Sequence, residues 1–416
     1  MERRIRVRIM GLITVILLIT GLFCLRHYKV QANVSEEARR KANSIPYTTY
    51  VDASRGKIMD RNGNVLVGNR ASYDLVIINF VWSNSATPNE SLMTLLKTCR
   101  ELDLEVESHF PVSNTKPYEY TLDDQSQVWQ GYFRQFLTSR GWDPDITARV
   151  LMDNLREDYH IPDSWPLEDA YDLIRVRYEL ELRSVKDMPL DNYVLAHDVS
   201  SEQLAAVMEL GVPGVIVETS SVREYHTPYA AHLLGYTGAM DWDEYDSIYR
   251  DRGYYMDAVV GKAGVEKAFE EYLHGSSGQK HTRVSASGEV LEEYWISEPQ
   301  PGGNVELTID IGLQAGGEEA LRSTILDLQE NGVGAKQEGK DAFAGAVVML
   351  ECKTGDVLVE ASYPTFDLAT FRQDFNTLRD DPTSPLLDRA LSAPYPPGSI
   401  YKMVTAIAAI EKANIS

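Results

Sequence analysis

A serine and a lysine near the end of the chain have the types and spacing of a nucleophile and its base. They are Ser399 and Lys402 in the stretch YPPGSIYKMVTAIAAIEKA. A serine hydroxyl needs a neighbouring base to become a useful nucleophile, and a lysine one helical turn away could serve if burial leaves its amine neutral. The start of a helix would also offer a backbone N–H and a positive dipole to an oxyanion. These residues therefore indicate acyl transfer through an acyl-serine. The alternative is that Ser399 only caps a helix and that Lys402 is a solvated surface residue.

The same Ser-x-x-Lys pattern occurs four times, so its context must distinguish the copies. The four begin at Ser54, Ser113, Ser277 and Ser399. The first three lie in a basic turn, a proline-flanked loop and a glycine-rich segment. Only Ser399 follows the breaker PPG and opens a long apolar stretch, which predicts a helix with the serine and the lysine on one face.

Composition limits the function classes. The 416 residues carry a net charge of −22, which argues against nucleic acid as a partner because phosphates would be repelled. Cys24, Cys99 and Cys352 are far apart, with no CxxC and no histidine pairs nearby, so neither a metal site, a disulfide framework nor a cofactor is predicted. The hydrophobic content of 44% is enough for two or three domains with sizeable cores.

The N-terminus has the pattern of a membrane anchor. Four arginines within residues 1–8 precede the uncharged run from Ile9 to Leu25, about 17 residues, the short end of a membrane span. A cleaved signal peptide is the alternative, but the small-x-small cleavage pattern does not follow the run. The arginines predict a cytoplasmic tail over 1–8, an anchor over 9–25 and an extracytoplasmic location for the rest.

The remaining chain alternates between β and α patterns, which indicates an α+β fold. The β patterns include a hairpin turn at Asn62-Gly63 and a strand–turn–strand unit that opens near residue 345 and holds Lys353–Gly355 in its turn. The helical patterns comprise a short helix after Asn33, an insertion over about 88–183 whose aromatic residues are expected in its core, a helix over 202–210 capped by Ser200 or Ser201, and a helix over 313–329.

Six blocks of the sequence resemble, in order, the class B penicillin-binding proteins, the membrane-anchored D,D-transpeptidases that cross-link peptidoglycan. The blocks are RGKIMDRNGNVLVGN (55–69), YAAHLLGYTG (229–238), GKAGVEKAFEEYLHG (261–275), LTIDIGLQ (307–314), TGDVLVEASYPTFD (354–367) and LLDRALSAPYPPGSIYKMVTAIAAIE (386–411). Within that family, YPPGS and the large helical insertion look more like the elongation type than the division type.

The resemblance implies an architecture. It predicts an elongated, β-rich pedestal of the dimerisation type over 26–330 that carries the helical insertion. A linker over 331–343 would follow, and then the first part of an α/β transpeptidase domain, similar to serine β-lactamases, over 344–416.

The resemblance also implies a reaction and its partners. Ser399 would attack the D-Ala-D-Ala carbonyl of a stem peptide, release D-alanine and pass the acyl group to an amine, with Lys402 as the proton acceptor. A β-lactam would acylate the same serine. The expected partners are peptidoglycan stem peptides, β-lactams, the membrane, and a membrane-bound glycosyltransferase and other cell-wall synthesis proteins that bind the pedestal. The competing readings are a β-lactamase or β-lactam sensor that uses the same tetrad, and a non-catalytic membrane scaffold.

The sequence departs from the family at the elements expected after the nucleophile. Enzymes with Ser-x-x-Lys use a later Ser-x-Asn and a later Lys-Thr/Ser-Gly. The residues after Lys402 contain neither, and Lys353–Gly355 precedes Ser399 in a turn, where no catalytic role is expected. The 416-residue chain is therefore expected to be an incomplete transpeptidase that is inactive alone.

Overall fold

The computed structural model describes residues 2–32, 44–185, 190, 192–254, 258–285 and 290–413. This part of the chain is α+β, as the sequence predicts. Its strands are β1 Ile45–Val51, β2 Ile58–Met59, β3 Val65–Ile77, β4 Tyr193–Ala196, β5 Val215–Tyr225, β6 Thr237–Ala239, β7 Val259–Gly261, β8 Gly278–Val284, β9 Val290–Ser297, β10 Val305–Glu306, β11 Gly345–Leu350 and β12 Val357–Tyr363. Its α-helices are α1 Glu2–Ala32, α2 Asn79–Ser83, α3 Pro88–Glu101, α4 Gln127–Ser139, α5 Ala148–Asp158, α6 Leu167–Leu182, α7 Ser201–Glu209, α8 Ala231–Leu234, α9 Trp242–Glu244, α10 Gly264–Ala268, α11 Glu270–Leu273, α12 Ile311–Asn331, α13 Phe371–Asp380 and α14 Lys402–Ala413.

Helix α1 contains the uncharged run over 9–25. No helix in the described ranges combines the length and the apolar character that a membrane crossing requires. The short helix predicted after Asn33 falls on residues 33–43, which lie outside the described residues.

The largest sheet is built around the long strand β3. Strand β5 pairs with β3 from Val67↔Tyr225 to Ile77↔Val215, and the rest of the sheet follows the order β10-β2-β3-β4. The turn between β2 and β3 contains Gly63 at φ +81°, a left-handed conformation that glycine adopts without steric cost. The hairpin predicted at Asn62-Gly63 is thus confirmed.

Strand β10 lies parallel to β2, with Val305 opposite Ile58. The chain therefore returns to its first hairpin before it enters the segment that leads to Ser399. Two smaller sheets complete the described β structure up to residue 306. One has the order β1-β8-β9, with β9 at an edge, and in the other β6 pairs with β7.

The helical insertion is confirmed as four helices, α3 to α6, around an aromatic core. Tyr178 on α6 is fully buried, and its ring centroid lies 4.8 Å from that of Phe136 on α4 and 5.2 Å from that of Phe110. Helix α7 begins as predicted, because the Ser200 hydroxyl accepts the Gln203 N–H at 3.3 Å. Aromatic side chains in this insertion contribute to its packing, as expected.

Helix α12 and the hairpin β11–β12 form the layer that leads toward Ser399. The helix spans Ile311–Asn331, two residues longer at each end than predicted. Its earlier start is explained by Asp310, which caps it by accepting the N–H groups of Gly312 and Leu313 at 3.0 and 3.1 Å. It lies so close to β12 that a Cβ on Gly317 would stand 2.7 Å from a methyl carbon of Val359.

Candidate active site

The segment that carries Ser399 begins with a left-handed glycine. Gly398 has φ +53° and follows Pro397. Residues Gly398–Tyr401 form a 3₁₀ turn, in which the Ile400 N–H donates to the Pro397 carbonyl at 3.2 Å, and α14 begins only at Lys402. The prediction that an α-helix begins at Ser399 is therefore wrong by one turn. The tighter turn is a frequent way for a chain to enter an α-helix.

Ser399 lies within this turn, and Lys402 follows it directly as the first residue of α14. The Lys402 backbone N–H donates to the Ser399 carbonyl, and a 3₁₀ turn places positions i and i+3 one above the other. Both side chains are exposed. The burial of Lys402 that the sequence analysis requires is not found, and the side chains of Ile400, Tyr401 and Met403 beside it are also exposed. The turn thus brings the serine and the lysine together in the chain without enclosing them.

The apolar side of α14 faces solvent. Met403 is 68% exposed, Ile407 57% and Ile410 61%. A helix of this composition is normally packed against a core. The apolar side of the helix from Met403 to Ile410 is therefore uncovered in this chain.

The other three Ser-x-x-Lys copies do not begin a helix. Ser54 lies in the loop after β1. The Ser113 hydroxyl accepts the Glu119 N–H at 2.9 Å, and the Ser277 hydroxyl donates to Asp52 Oδ1 at 2.8 Å. These hydroxyls hold loops and strand ends together, which leaves Ser399 as the copy at a helix entry.

Lys353–Gly355 lies in the turn between β11 and β12. Gly355 has φ +81°, and its N–H donates to the Glu351 carbonyl at 2.8 Å. This confirms that the Thr-Gly pair here serves the turn.

A buried arginine that the sequence analysis missed organises the segment before the nucleophile. Arg389 is 5% exposed, and its guanidinium donates to three carbonyl oxygens of its own segment, those of Thr383, Ser384 and Leu387, at 2.6, 3.0 and 3.3 Å. A guanidinium presents several donors in a fixed geometry and can hold a loop in one conformation. The available signal was a charged pair within the apolar stretch PLLDRAL, since a charge among apolar residues suggests a buried network.

The same segment contacts helix α8 on the other side. His232 is 8% exposed, and its Nε2 lies 2.7 Å from the Pro385 carbonyl oxygen, so this nitrogen carries the hydrogen. Burial lowers the pKa of His232. The ring also meets Phe366 edge-on, with centroids 5.1 Å apart. The route to Ser399 is therefore fixed between α8 and β12.

The described residues contain no group of three His, Cys, Asp or Glu side chains that could hold a metal ion. An open depression of about 450 Å³ is lined by residues of α4, of α6 and of the loop just after α6. It therefore lies on the helical insertion and contains neither Ser399 nor Lys402.

Two family models match the chain. Residues 50–307 match the penicillin-binding protein dimerisation domain, and residues 345–416 match the penicillin-binding protein transpeptidase domain. The chain therefore belongs to the penicillin-binding proteins, and the resemblance to class B enzymes of the elongation type is confirmed. The exact bounds given above for the pedestal, the linker and the transpeptidase part stay a prediction.

Relatives of known function cover only part of the chain. It is 32% identical over 201 residues to the peptidoglycan D,D-transpeptidase MrdA of Acinetobacter baumannii, which is 47% of this chain and 27% of the relative. It is 29% identical over 222 residues to MrdA of Escherichia coli K12, 51% of this chain and 32% of the relative. A chain in a solved structure titled "Structural coordination of polymerization and crosslinking by a peptidoglycan synthase complex" is similar with 25% identity and a TM-score of 0.51, over 98% of this chain and 56% of that one. These curated relatives are thus matched over about a third of their length.

Proposed function

We propose that the chain is part of a peptidoglycan D,D-transpeptidase that works through an acyl-serine. The Ser399 oxygen attacks the carbonyl between the two D-alanines of a stem peptide while Lys402 takes its proton. The C–N bond then breaks, and D-alanine leaves with that proton. An amine of a second stem peptide attacks the ester, forms the cross-link and restores the serine hydroxyl. A β-lactam acylates the same serine.

The observation that carries this proposal is the position of Ser399 within the transpeptidase match. Residues 345–416 match that domain, and within them Ser399 lies at a 3₁₀ turn with Lys402 at the first residue of α14. The helix start supplies a backbone N–H for an oxyanion. The exposure of both side chains and of the apolar side of α14 supports an incomplete site in this chain.

Labelling with a fluorescent penicillin tests the proposal. The 416-residue chain and a chain extended along the same reading frame are compared. Each missing oxyanion donor costs roughly 3 kcal/mol, a hundredfold or more in rate. We therefore expect no specific labelling of the short chain and labelling of the long chain at Ser399.

Matched variants of the long chain identify the nucleophile. Ser399→Ala abolishes labelling, and Lys402→Ala slows it severely while the fold remains. Ser54→Ala removes the serine of another Ser-x-x-Lys copy and leaves labelling unchanged. Full labelling of the long Ser399→Ala chain would refute the nucleophile, and stoichiometric labelling of the short chain would refute its inactivity. A folded long chain that is never labelled would favour the non-catalytic scaffold.

We propose further that residues 9–25 anchor the chain in the cell membrane, with 1–8 in the cytoplasm and the bulk outside. The uncharged run and its leading arginines support this orientation. Alkaline phosphatase fused after residue 50 should be active, and β-galactosidase at that site inactive. The opposite pattern would overturn the orientation, and a soluble mature form that begins near residue 30 would overturn the uncleaved anchor.

The proposed partners are a membrane-bound glycosyltransferase and other cell-wall synthesis proteins, which would bind the part of the chain that matches the dimerisation domain. The similar chain in the peptidoglycan synthase complex supports this proposal. The edge strand β9 exposes Tyr294 and Ile296. Ile296→Glu should reduce co-purification of the glycosyltransferase, whereas the exposed Glu298→Gln should not. Equal recovery with both variants would exclude β9 from the interface.

A further inference from the structure

A buried carboxyl on β12 receives no hydrogen bond. Glu360 is 4% exposed, and no donor reaches either of its carboxyl oxygens. Its backbone is fixed, because its N–H donates to Gln314 Oε1 at 2.8 Å and its carbonyl accepts Gln314 Nε2 at 2.6 Å. An ionised carboxylate at this position would be a buried charge without a hydrogen-bond donor, which is unfavourable. A protonated carboxyl is neutral and has an O–H of its own to donate.

The groups around Glu360 add to this effect. Two negative charges lie near Glu360 and act on its carboxyl group. They belong to Asp388, in the segment before Ser399, and to Glu318 on α12. Burial, followed by the negative charge of Asp388, a side-chain hydrogen bond to Asp388 and the negative charge of Glu318, together raise the pKa of Glu360 to about 8. At neutral pH the side chain therefore keeps its proton.

The remaining charged groups of the packed elements do not neutralise it. Strand β11, its partner in the hairpin, has no titratable side chain. The guanidinium of Arg389 donates to carbonyls of its own segment, and His232 on α8 bonds the Pro385 carbonyl. On α12, Arg322 pairs with Glu319 at the surface.

Asp388 in turn fastens the segment that leads to Ser399. One of its oxygens accepts the N–H groups of Ala390 and Leu391 at 3.0 and 3.1 Å and the Ser362 hydroxyl at 3.2 Å. The Ser362 oxygen accepts the Arg389 N–H at 2.9 Å. Residues 388–390 are thus tied to Ser362 on β12 through one carboxylate and one hydroxyl, nine to eleven residues before Ser399.

We propose that Glu360 is a positioning residue whose proton, donated to Asp388, holds the segment 383–391 on β12 and so sets the place of Ser399. When Glu360 releases this proton to solvent, its carboxylate repels Asp388 and Glu318. The segment then separates from β12. The catalytic consequence rests on the proposed transpeptidase function. The hydrogen bond from Glu360 to Asp388, which we call the latch, does not depend on that function.

Hydrogen exchange of the 416-residue chain tests the latch without any activity. Exchange of residues 383–391, corrected for the intrinsic dependence on pH, is measured at pH 7 and pH 9 by mass spectrometry. A hydrogen bond to a charged group contributes about 1.5–3 kcal/mol, so we expect exchange at pH 9 to be about tenfold faster or more. Glu360→Gln, which cannot ionise and keeps a donor, should show less than a twofold change.

Control measurements separate the outcomes. Glu319→Gln removes an exposed carboxylate of the same helix α12 and should behave as the wild type. If Glu360→Gln fails to fold, carbon-13 NMR of the carboxyl groups in the wild type still reports whether Glu360 is protonated at pH 7. An ionised Glu360 at that pH, or equal acceleration in the wild type and the Gln variant, would overturn the proposal.

Penicillin acylation of the extended chain tests whether the latch affects Ser399. If the latch positions Ser399, the acylation rate of the wild type falls above pH 8 and Glu360→Gln removes that fall. Lost acylation at every pH, with the exchange result intact, would refute the proposed function and not the latch. An unchanged alkaline limb in an active Gln variant would refute the link to Ser399.

Discussion

A buried ion network joins the first hairpin to the α10–α11 segment, and removing Arg55 should break it. The Arg55 side chain is 10% exposed, with Nε 2.5 Å from Glu266 and Nη2 2.6 Å from Glu270. The fully buried Glu266 also lies 2.7 Å from Arg223. Burial opposes the charge of Arg55, but the two carboxylates outweigh that effect and raise its pKa. Arg55 therefore stays charged throughout the accessible pH range.

The loss of stability in Arg55→Met depends on which contacts Glu266 and Glu270 keep. In Arg55→Met, Glu266 retains Arg223, but Glu270 retains only the Gly261 N–H, at 2.8 Å. Removing one partner of a buried ion pair costs about 3–5 kcal/mol because a buried charge loses its compensation. We therefore expect Arg55→Met to lower the free energy of unfolding by about that amount, roughly a hundredfold to several thousandfold in the equilibrium.

Urea unfolding of the full chain in detergent, followed by tryptophan fluorescence, measures the loss. Arg250→Met is the matched control, because Arg250 forms an exposed pair with Asp246 one turn away, and its midpoint should not move. Adding Glu270→Gln to Arg55→Met should recover part of the loss, since the stranded charge disappears. Equal midpoints for Arg55→Met and Arg250→Met, or strictly additive losses in the double variant, would refute the reasoning.

Three further outcomes test the packing and the electrostatics. Gly302→Ala should destabilise the chain strongly, because a Cβ there would lie 1.9 Å from the Leu273 carbonyl oxygen, whereas Gly131→Ala in the open face of α4 should stabilise it by about 0.5–1 kcal/mol; paired melting curves measure both. Phe136→Ala in the insertion core should cost about 3–5 kcal/mol in urea unfolding, and a loss under 1 kcal/mol would contradict the assigned core. The carboxylate of Asp60 is buried, yet hydrogen bonds from Asn64, Asn62 and Ile311 lower its pKa. Its contribution to the stability of the fold is therefore present above the unfolded pKa of 3.8 and is lost as the pH falls through the lower folded pKa. Asp60→Asn should remove this acid dependence from a pH series of melting temperatures.

Local chemistry made much of the fold predictable. The turn at Asn62-Gly63 follows from a glycine that can take positive φ, the start of α7 from a capping serine, and the insertion from apolar residues at helical spacing. Ser399 was selected by sequence because proline and glycine just before an apolar stretch predict a helix entry. The expectation of an α-helix at Ser399 was wrong because propensity does not distinguish a first 3₁₀ turn from an α turn.

Long-range pairings could not be predicted in the same way. Arg55 and Glu266 lie 211 residues apart in the chain, and nothing in either local pattern indicates the other. The tie between Ser362 and Asp388 spans a helix and a loop. Such contacts depend on tertiary packing, so a single sequence reveals the candidate residues without their partners.

The parallel pairing of β2 with β10 has a consequence for how the chain is made. Ile58 is paired with Val305 in the parallel ladder, and the Gly56 N–H donates to the Leu273 carbonyl at 2.7 Å. At about 5–20 residues per second of synthesis, the first hairpin waits roughly 10–50 s for these partners. During that interval the edge of β2 is unpaired and open to association with other chains. The four-helix insertion, whose contacts are local, can fold in the meantime, so it can be complete before the sheet whose first strands precede it in the sequence.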